Sequence, residues 1–219
     1  MEARIARAFH ESRWALGIGD DSAALEDLCA RYGQAHRHYH DLTHLDACLT
    51  MLDAHRAAAT RVGEVLAALL FHDAVYDPMR SDNEAESARL AREVLRRGGA
   101  DEPVIARIEE MILATRDHEP RGADGALVLD IDLAILGEEP EAFERYDRAI
   151  RQEYAFVPES AYVEGRRAVL EGFLARPRIF HTEDLYAERE RKARENLRAA
   201  LVRLPRVIDS PRVIDGSNG

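Results

Sequence analysis

Apolar residues recur every three to four positions along most of the chain, which is the spacing that places them on one face of an α-helix. Short polar runs with glycine or proline separate these stretches, and we therefore predict an all-α fold. Asp41 and Asp82 stand where helix N-caps are expected. The predicted helices span residues 2–16, 22–32, 41–58, 62–76, 82–97, 103–115, 140–155, 159–175 and 184–203.

The segment LVLDIDLAILG is ambiguous, because Val128, Asp130 and Asp132 alternate with apolar residues as they would in a strand. A single strand would have no partner in a helical chain, so we predict a buried helix here. The end of the chain repeats the string PRVID without a helical period. We expect residues 205–219 to form a short disordered C-terminal tail and residues 1–204 to form a single domain.

The formal net charge of −11 argues against general nucleic-acid binding, which requires a cationic surface. A small anionic substrate remains compatible, since a metal ion and a few arginines can reverse the field locally. The charged N-terminus lacks the apolar core of a signal peptide, and the longest apolar run, VLAALLF, is too short to cross a membrane. These features predict a cytoplasmic protein without membrane contact, and they leave its oligomeric state open.

Two His-Asp dipeptides occur, at 40–41 and 72–73, and their surroundings distinguish them. The first lies in a polar segment, where both side chains can be solvated. The second interrupts VLAALLFHDAVYD, the most apolar predicted helix. Burial of an unpaired carboxylate is costly, so Asp73 requires a strong partner, and a divalent cation is one.

Other candidate metal ligands lie in two further segments. The string HRHYHDLTH contains four histidines, a composition that is a weak metal-binding signal. His44 is the strongest of the four, because it falls in the first turn of the helix that Asp41 is predicted to cap. Asp130 and Asp132 form a second carboxylate pair among apolar residues. We expect one of them to bind the metal and the other to cap a helix or orient a ligand.

The strings RHYHDLTH, FHDAVYDPMRSDNEAESA, LDIDLAILG and IRQEY resemble the HD superfamily of metal-dependent phosphohydrolases, in particular a bacterial branch of predicted HD-domain phosphohydrolases. The similarity covers about residues 5–203 and includes the ordered H…HD…D pattern. It implies an HD-domain helical bundle with a divalent ion, Mn, Fe, Co, Ni, Zn or Mg, at its centre. It places Asp132, rather than Asp130, as the last ligand. The implied metal ligands are His44, His72, Asp73 and Asp132.

The resemblance also implies a reaction, the hydrolysis of a phosphate ester by attack of a metal-bound water. The substrate would be a small phosphorylated molecule, with a nucleotide as one option. Asp77 is expected one helical turn beyond Asp73, and His118 is expected to end a helix. The candidate catalytic residues are Asp73, Asp77, His118 and Glu84. The candidate substrate-binding residues are Arg37, Tyr76, Arg151 and Arg166.

Two alternatives stay open at this point. A dinuclear HD phosphodiesterase or di-iron oxygenase would need further histidine ligands, and only His118 lies between the His-Asp pair and the last Asp. The sequence is therefore one histidine short for such a site unless His40 or a carboxylate substitutes. A non-catalytic HD module that binds a nucleotide is the second alternative, although such a module could dispense with the complete ligand set that this chain retains.

Overall fold

The computed structural model describes residues 1–205, and every regular element in that range is helical. The prediction of an all-α fold is therefore confirmed. The α-helices are α1 Glu2–Ala15, α2 Ser22–Tyr32, α3 Leu42–Ala54, α4 Val62–Phe71, α5 Asn83–Gly98, α6 Glu102–Ala114, α7 Gly122–Asp132, α8 Pro140–Glu153, α9 Glu159–Ala175 and α10 Glu183–Arg203. Two short 3-10 helices span Arg56–Ala58 and Leu133–Gly137. The tail predicted at 205–219 lies, apart from its first residue, outside the described residues.

The segment LVLDIDLAILG is helical throughout, as α7 followed directly by the 3-10 helix Leu133–Gly137. Its apolar side chains are buried on nearly every side, which explains why the sequence shows no clear amphipathic period there. The prediction of a buried helix is therefore confirmed, and the strand-like alternation of Val128, Asp130 and Asp132 was misleading.

Two predicted helices end about one turn or more before the expected residue. The helix predicted over 41–58 ends at Ala54, and a 3-10 turn follows. The helix predicted over 62–76 ends at Phe71, so His72 and Asp73 lie in the turn after α4 and do not interrupt it. The physical reason is that the carbonyl groups of Leu69 and Asp73 bond to side chains, which replaces the next helical turn.

The two predicted N-caps differ in outcome. Asp41 caps α3, because its carboxylate accepts hydrogen bonds from the backbone N–H groups of Thr43 at 2.7 Å and His44 at 3.2 Å. Asp82 precedes α5 but makes no side-chain cap; its carboxylate instead accepts two hydrogen bonds from Arg80, each 2.8 Å long. The expectation for Asp82 was therefore wrong, since an adjacent guanidinium competes with the helix for the carboxylate.

Helix α4 is the centre of the core, and every residue from Gly63 to Phe71 is buried. Helices α1, α3, α5, α6 and α7 pack around it. Full burial of one leucine contributes about 1.5–3 kcal/mol, so this helix supplies a large share of the hydrophobic stabilisation. Helices α1 and α4 approach closely at Gly63. A Cβ atom added to this glycine would lie 2.7 Å from the Cβ of Ala15. Within residues 1–205 none of the helices combines the length and the apolar character needed to cross a membrane.

Helix α10 packs on the 3-10 helix Leu133–Gly137 and on α9, and this contact fixes the end of α7. Asp130 holds the start of α10, because its carboxylate accepts the backbone N–H groups of His181 and Thr182, each at 2.7 Å, and the Thr182 hydroxyl at 2.6 Å. Farther along α10, the amide of Asn196 donates to the carbonyl of Leu136 at 2.9 Å. The end of α7, which carries Asp132, is therefore held in place by buried hydrogen bonds.

Candidate metal centre

His44 and His72 meet in the interior, one from the first turn of α3 and the other from the turn after α4. Their Nε2 atoms lie 3.1 Å apart, and both side chains are buried. The Nδ1 atom of His72 lies 2.7 Å from the carbonyl oxygen of Leu69. Because a carbonyl can only accept, Nδ1 of His72 carries the proton, and in the neutral ring the Nε2 lone pair points towards His44.

Asp73 and Asp132 bring two carboxylate oxygens to the same point. The Oδ2 atom of Asp73 lies 3.0 Å from His72 Nε2 and 3.5 Å from His44 Nε2. The Oδ1 atom of Asp132 lies 3.3 Å from His44 Nε2 and 3.5 Å from His72 Nε2. The structure therefore brings together all four side chains that the sequence nominated as metal ligands, and we call them the metal cluster.

The spacing within the metal cluster fits a single ion. Donor atoms bound at about 2.1 Å lie about 3.0 Å apart in octahedral geometry and about 3.4 Å apart in tetrahedral geometry. The measured separations of 3.0–3.5 Å fall in this range. Two imidazoles and two carboxylates suit a borderline or hard divalent cation. Cys48 lies one turn farther along α3, and its Sγ atom is 3.7 Å from His44 Nε2. The group His44, Cys48 and His72 could therefore also hold a metal ion, and it shares both histidines with the metal cluster.

The electrostatics of the metal cluster favour a positive charge. Burial alone lowers the pKa of His72, but Asp73 and Asp132 outweigh that effect and raise it well above its ordinary value. Burial raises the pKa of Asp132, yet hydrogen bonds from His118, His44 and His72 hold that pKa well below its usual range. Two ionised carboxylates facing buried imidazoles create a negative field that a divalent cation would satisfy.

Asp130 takes no part in the metal cluster. Both oxygens of its carboxylate accept hydrogen bonds from the residues at the start of α10. Although Asp130 is only two positions from Asp132, it is not part of the donor group around His44 and His72. Burial is the largest influence on Asp130 and raises the pKa of this carboxyl group. The choice of Asp132 as the ligand therefore agrees with the geometry, and Asp130 has the capping role expected for the other member of the pair.

His118 lies at the edge of the metal cluster, with its Nε2 atom 3.5 Å from Oδ2 of Asp132. It does not end a helix as expected, because α6 ends at Ala114 and His118 follows in a turn. Its φ of 54° is left-handed, and no other non-glycine residue in the described range has a positive φ. Such a conformation costs about 1 kcal/mol or more and is found preferentially at functional sites. The ring is supported by an edge contact with Phe173.

Asp77 and Glu84 lie outside the metal cluster. Asp77 is not one helical turn beyond Asp73, because α4 has already ended; its carboxylate accepts the backbone N–H of Met79 at 2.9 Å in a loop. Glu84 occupies the first turn of α5, where its charge helps to raise the pKa of Tyr154, after the larger effect of burial. The structure thus gives neither residue a contact with the metal ligands, and the catalytic roles suggested for them have no geometric support.

Arg37 and Tyr76 hold the turn that carries the His-Asp pair. The buried guanidinium of Arg37 donates to the carbonyl oxygens of Asp73 and Ala74, at 2.6 and 3.1 Å. The same guanidinium lies against the rings of Tyr32 and Tyr76. Arg37 also donates to the carbonyl oxygen of His40 at 3.0 Å and to the side-chain oxygen of Gln34 at 3.2 Å. Its donors are therefore used within the protein, where Arg37 positions this turn, and these contacts give no support to the phosphate contact expected of it.

Arg151 and Arg166 are also committed to partners in the protein. Arg151 donates to the carbonyl oxygen of Tyr154 at 2.7 Å and to Glu159 at 3.0 Å. Arg166 donates to Asp147 through two nitrogens, at 3.0 and 2.8 Å. Only Arg166 of the two lines a cleft that reaches the metal cluster.

Glu153 and His40 lie beside the metal cluster and contact each other, a pairing that the sequence did not reveal. The side chain of Glu153 is fully buried, and one carboxylate oxygen accepts the backbone N–H groups of His38, Tyr39 and His40 at 2.8–3.0 Å. The other oxygen accepts the Tyr76 hydroxyl at 2.8 Å and pairs with Nδ1 of His40 at 2.7 Å. His40 also stacks on Tyr76, and its side chain is 22% exposed, so it is only partly solvated. The string IRQEY contained Glu153, but nothing in the sequence linked it to a loop more than a hundred residues earlier.

A cleft of about 820 Å³ opens onto the metal cluster between α8 and α9. Asp132, His118 and His40 lie at its inner end, beside Arg116 and Arg176. Arg176 donates to the carbonyl oxygens of Asp117 and His118 and so supports the turn of His118. Arg116, which was not among the residues predicted for the site, is exposed and lines the cleft. A smaller cavity of about 320 Å³ reaches the cluster from the side of His44 and Cys48.

Comparison with known proteins adds no relative at this point: no family model matches the chain, and no curated protein or solved structure is significantly similar to it.

Proposed function

We propose that this chain is a metal-dependent phosphohydrolase of the HD type that acts on a small phosphate ester. The observation that carries the proposal is the convergence of four donor atoms, from His44, His72, Asp73 and Asp132, at separations that fit one divalent ion. The ordered H…HD…D pattern, the all-helical architecture and the cleft next to the cluster support it.

A divalent ion bound at the metal cluster supplies Lewis acidity: it lowers the pKa of a coordinated water and polarises a phosphoryl oxygen. The residues around it supply the remaining functions. The Nε2 atom of His118 lies at the inner end of the cleft, 3.5 Å from Oδ2 of Asp132, where it can donate a proton to a leaving-group oxygen. Arg116 is the exposed cation beside it and is suited to neutralise charge on a phosphoryl group.

The donor count favours one ion over two. Both candidate donor groups in residues 1–205 share His44 and His72. Two further imidazoles lie nearby: His118 contacts the second oxygen of Asp132, and His40 pairs through Nδ1 with Glu153 at 2.7 Å. A dinuclear site would need several more ligands on that side. We therefore propose a mononuclear hydrolase, and the phosphodiesterase and oxygenase alternatives become less favoured.

The proposal is tested by exchanging one of two neighbouring aspartates. Asp132→Asn is expected to lower Mn²⁺ affinity at least tenfold, measured by calorimetry, and to abolish metal-dependent phosphate release from a panel of phosphate esters. Asp130→Asn is the matched control, since it alters the same segment by the same chemistry without touching the cluster. Circular dichroism on both variants verifies that they remain folded.

Two results would overturn the proposal. One is phosphate release by Asp132→Asn at the wild-type rate under limiting metal. The other is tight Mn²⁺ binding by the wild type with no phosphate release from any ester and any divalent metal, which would favour a non-catalytic binding module.

A further inference from the structure

The wall of the larger cleft is apolar away from the metal cluster. It is formed by α8 on one side, α9 on the other and the 3-10 helix Leu133–Gly137 at its floor. Its apolar lining includes Leu133, Leu136, Ile150, Val157, Val169 and Phe173. Val169 is 48% exposed, so this part of the wall faces the open cleft and is not covered by the core.

Helix α9 contributes small residues to this wall. Ala161, Gly165, Ala168 and Gly172 succeed one another at spacings of four, three and four positions, which places them on one helical face, and all four line the cleft. A Cβ atom added at Gly165 or Gly172 would meet nothing within 4 Å. The space in front of α9 is therefore real room for a ligand.

Charged groups in the cleft are concentrated at its inner end, around Asp132, His118 and Arg116. Farther out, the cation of the wall is Arg166, which is buried and already paired with Asp147 at 2.8 Å. The rings of Tyr146, Tyr154 and Tyr162 also line this part, and the Tyr146 hydroxyl lies 3.4 Å from Arg166. The outer cleft thus offers aliphatic and aromatic surface, with tyrosine hydroxyls as its other polar groups. A ligand that fits this arrangement has an anionic end at the metal cluster and an apolar body between α8 and α9.

We propose that the substrate is a phosphate monoester of an apolar alcohol, alkyl or aryl, whose apolar part occupies the cleft between α8 and α9. This inference rests on the proposed phosphohydrolase function, because the cleft is continuous with the metal cluster. Hydrolysis breaks the ester's P–O bond and consumes one water, and the products are inorganic phosphate and the alcohol, which takes up a proton.

The first test is a series of linear alkyl phosphates from ethyl to octyl, with glycerol phosphate as the polar comparison. Burial of each further methylene is expected to raise kcat/KM about threefold to fourfold until the cleft is filled. The matching alkyl phosphonates, which cannot be hydrolysed, are expected to bind the Mn²⁺-loaded protein with the same dependence on chain length in calorimetry.

Filling the cleft from α9 provides the second test. Gly165→Leu places a side chain in open space and raises helix propensity, so the variant is expected to fold. The ratio of kcat/KM for octyl phosphate to that for ethyl phosphate should fall at least tenfold. Glu164→Leu is the matched control, because it adds the same side chain at the adjacent exposed position outside the cleft lining, and its ratio should equal that of the wild type.

The outcomes separate this inference from the proposed function. Turnover that does not depend on chain length, or a ratio unchanged in Gly165→Leu, overturns the apolar substrate and leaves the hydrolase intact. Phosphonate binding that strengthens with chain length, together with no turnover of any phosphate ester, supports the apolar site and overturns the hydrolase. Binding and turnover that are both absent overturn both.

Discussion

Glu153→Gln tests how much the buried carboxylate at the end of α8 contributes to the loop that leads into α3. Burial alone raises the pKa of Glu153, but hydrogen bonds from His40 and from the backbone N–H groups of Tyr39 and His40 outweigh it and lower this pKa to about 2, against an ordinary value of 4.5. A difference of that size corresponds to about 3 kcal/mol of preference for the ionised carboxylate in the folded chain. Glutamine retains one oxygen for the three backbone donors, so we expect Glu153→Gln to cost about 1–3 kcal/mol near pH 7.

The pH dependence provides the decisive measurement. Between the lowered pKa and the ordinary one, the unfolded chain binds a proton at Glu153 that the folded chain does not, so the free energy of unfolding rises with pH in this window. The contribution of Glu153 is complete above its ordinary pKa and is lost as the pH falls towards about 2. The difference in free energy of unfolding between the wild type and Glu153→Gln should therefore shrink as the solution is acidified.

Urea unfolding at about pH 7, 5, 4 and 3, followed by circular dichroism in the presence of a chelator, measures this difference. Glu159→Gln is the control, because Glu159 is exposed and pairs with Arg151 at the surface, and its effect should stay within about 0.5 kcal/mol at every pH. A difference between wild type and Glu153→Gln that is constant from neutral to acidic pH would refute the argument, since it would mean that the carboxylate is not held in its charged form.

Three further predictions concern the framework of the site and are all measured by urea unfolding. Asp41→Ala should cost about 1 kcal/mol because it removes the cap of α3, whereas Asp82→Ala should cost less than about 0.5 kcal/mol because its carboxylate caps nothing; equal losses would contradict this. Gly63→Ala should destabilise by about 1–3 kcal/mol because its Cβ would press on Ala15, and a gain in stability, as expected for an open helical glycine, would show that α1 can move aside. Asp130→Asn should cost about 1–3 kcal/mol while Mn²⁺ binding persists, and loss of Mn²⁺ binding in the folded variant would assign this residue to the metal centre.

The pattern of apolar residues predicted the helices well because most of them depend on local information. Helices α2 and α9 begin and end as expected, since polar residues, glycine or proline mark both boundaries. The end of α4 was missed for a different reason. No glycine or proline follows Phe71 until Pro78, so the sequence gives no local signal for the end of this helix. The carbonyl of Asp73 instead accepts a hydrogen bond from Arg37, which lies thirty-six positions earlier in the sequence.

The candidate metal ligands could be named from sequence because their side chains are costly to bury without a partner. Asp73 and the pair Asp130 and Asp132 stand among apolar residues, and that conflict between charge and surroundings marked them, whereas the choice of Asp132 came from the resemblance to the HD superfamily. Asp130 stands in the same surroundings, and its role became evident only from the start of α10, which follows some fifty residues later. The neighbouring residues in the sequence show that a buried carboxylate needs a partner, but they do not show which partner it has.

Two residues whose roles the sequence did not reveal, Arg37 and Glu153, act on the backbone. Arg37 donates to the carbonyl groups of the turn that carries Asp73, and Glu153 accepts the N–H groups of the loop that leads to His44. Both are buried ions, and each satisfies main-chain groups that a turn or loop would otherwise leave unpaired. Both segments lie outside regular helices, so their shape cannot come from helical hydrogen bonds. Arg37 and Glu153 each make several of the hydrogen bonds that hold that shape, and for this reason we expect the geometry of the metal cluster to depend on both of them.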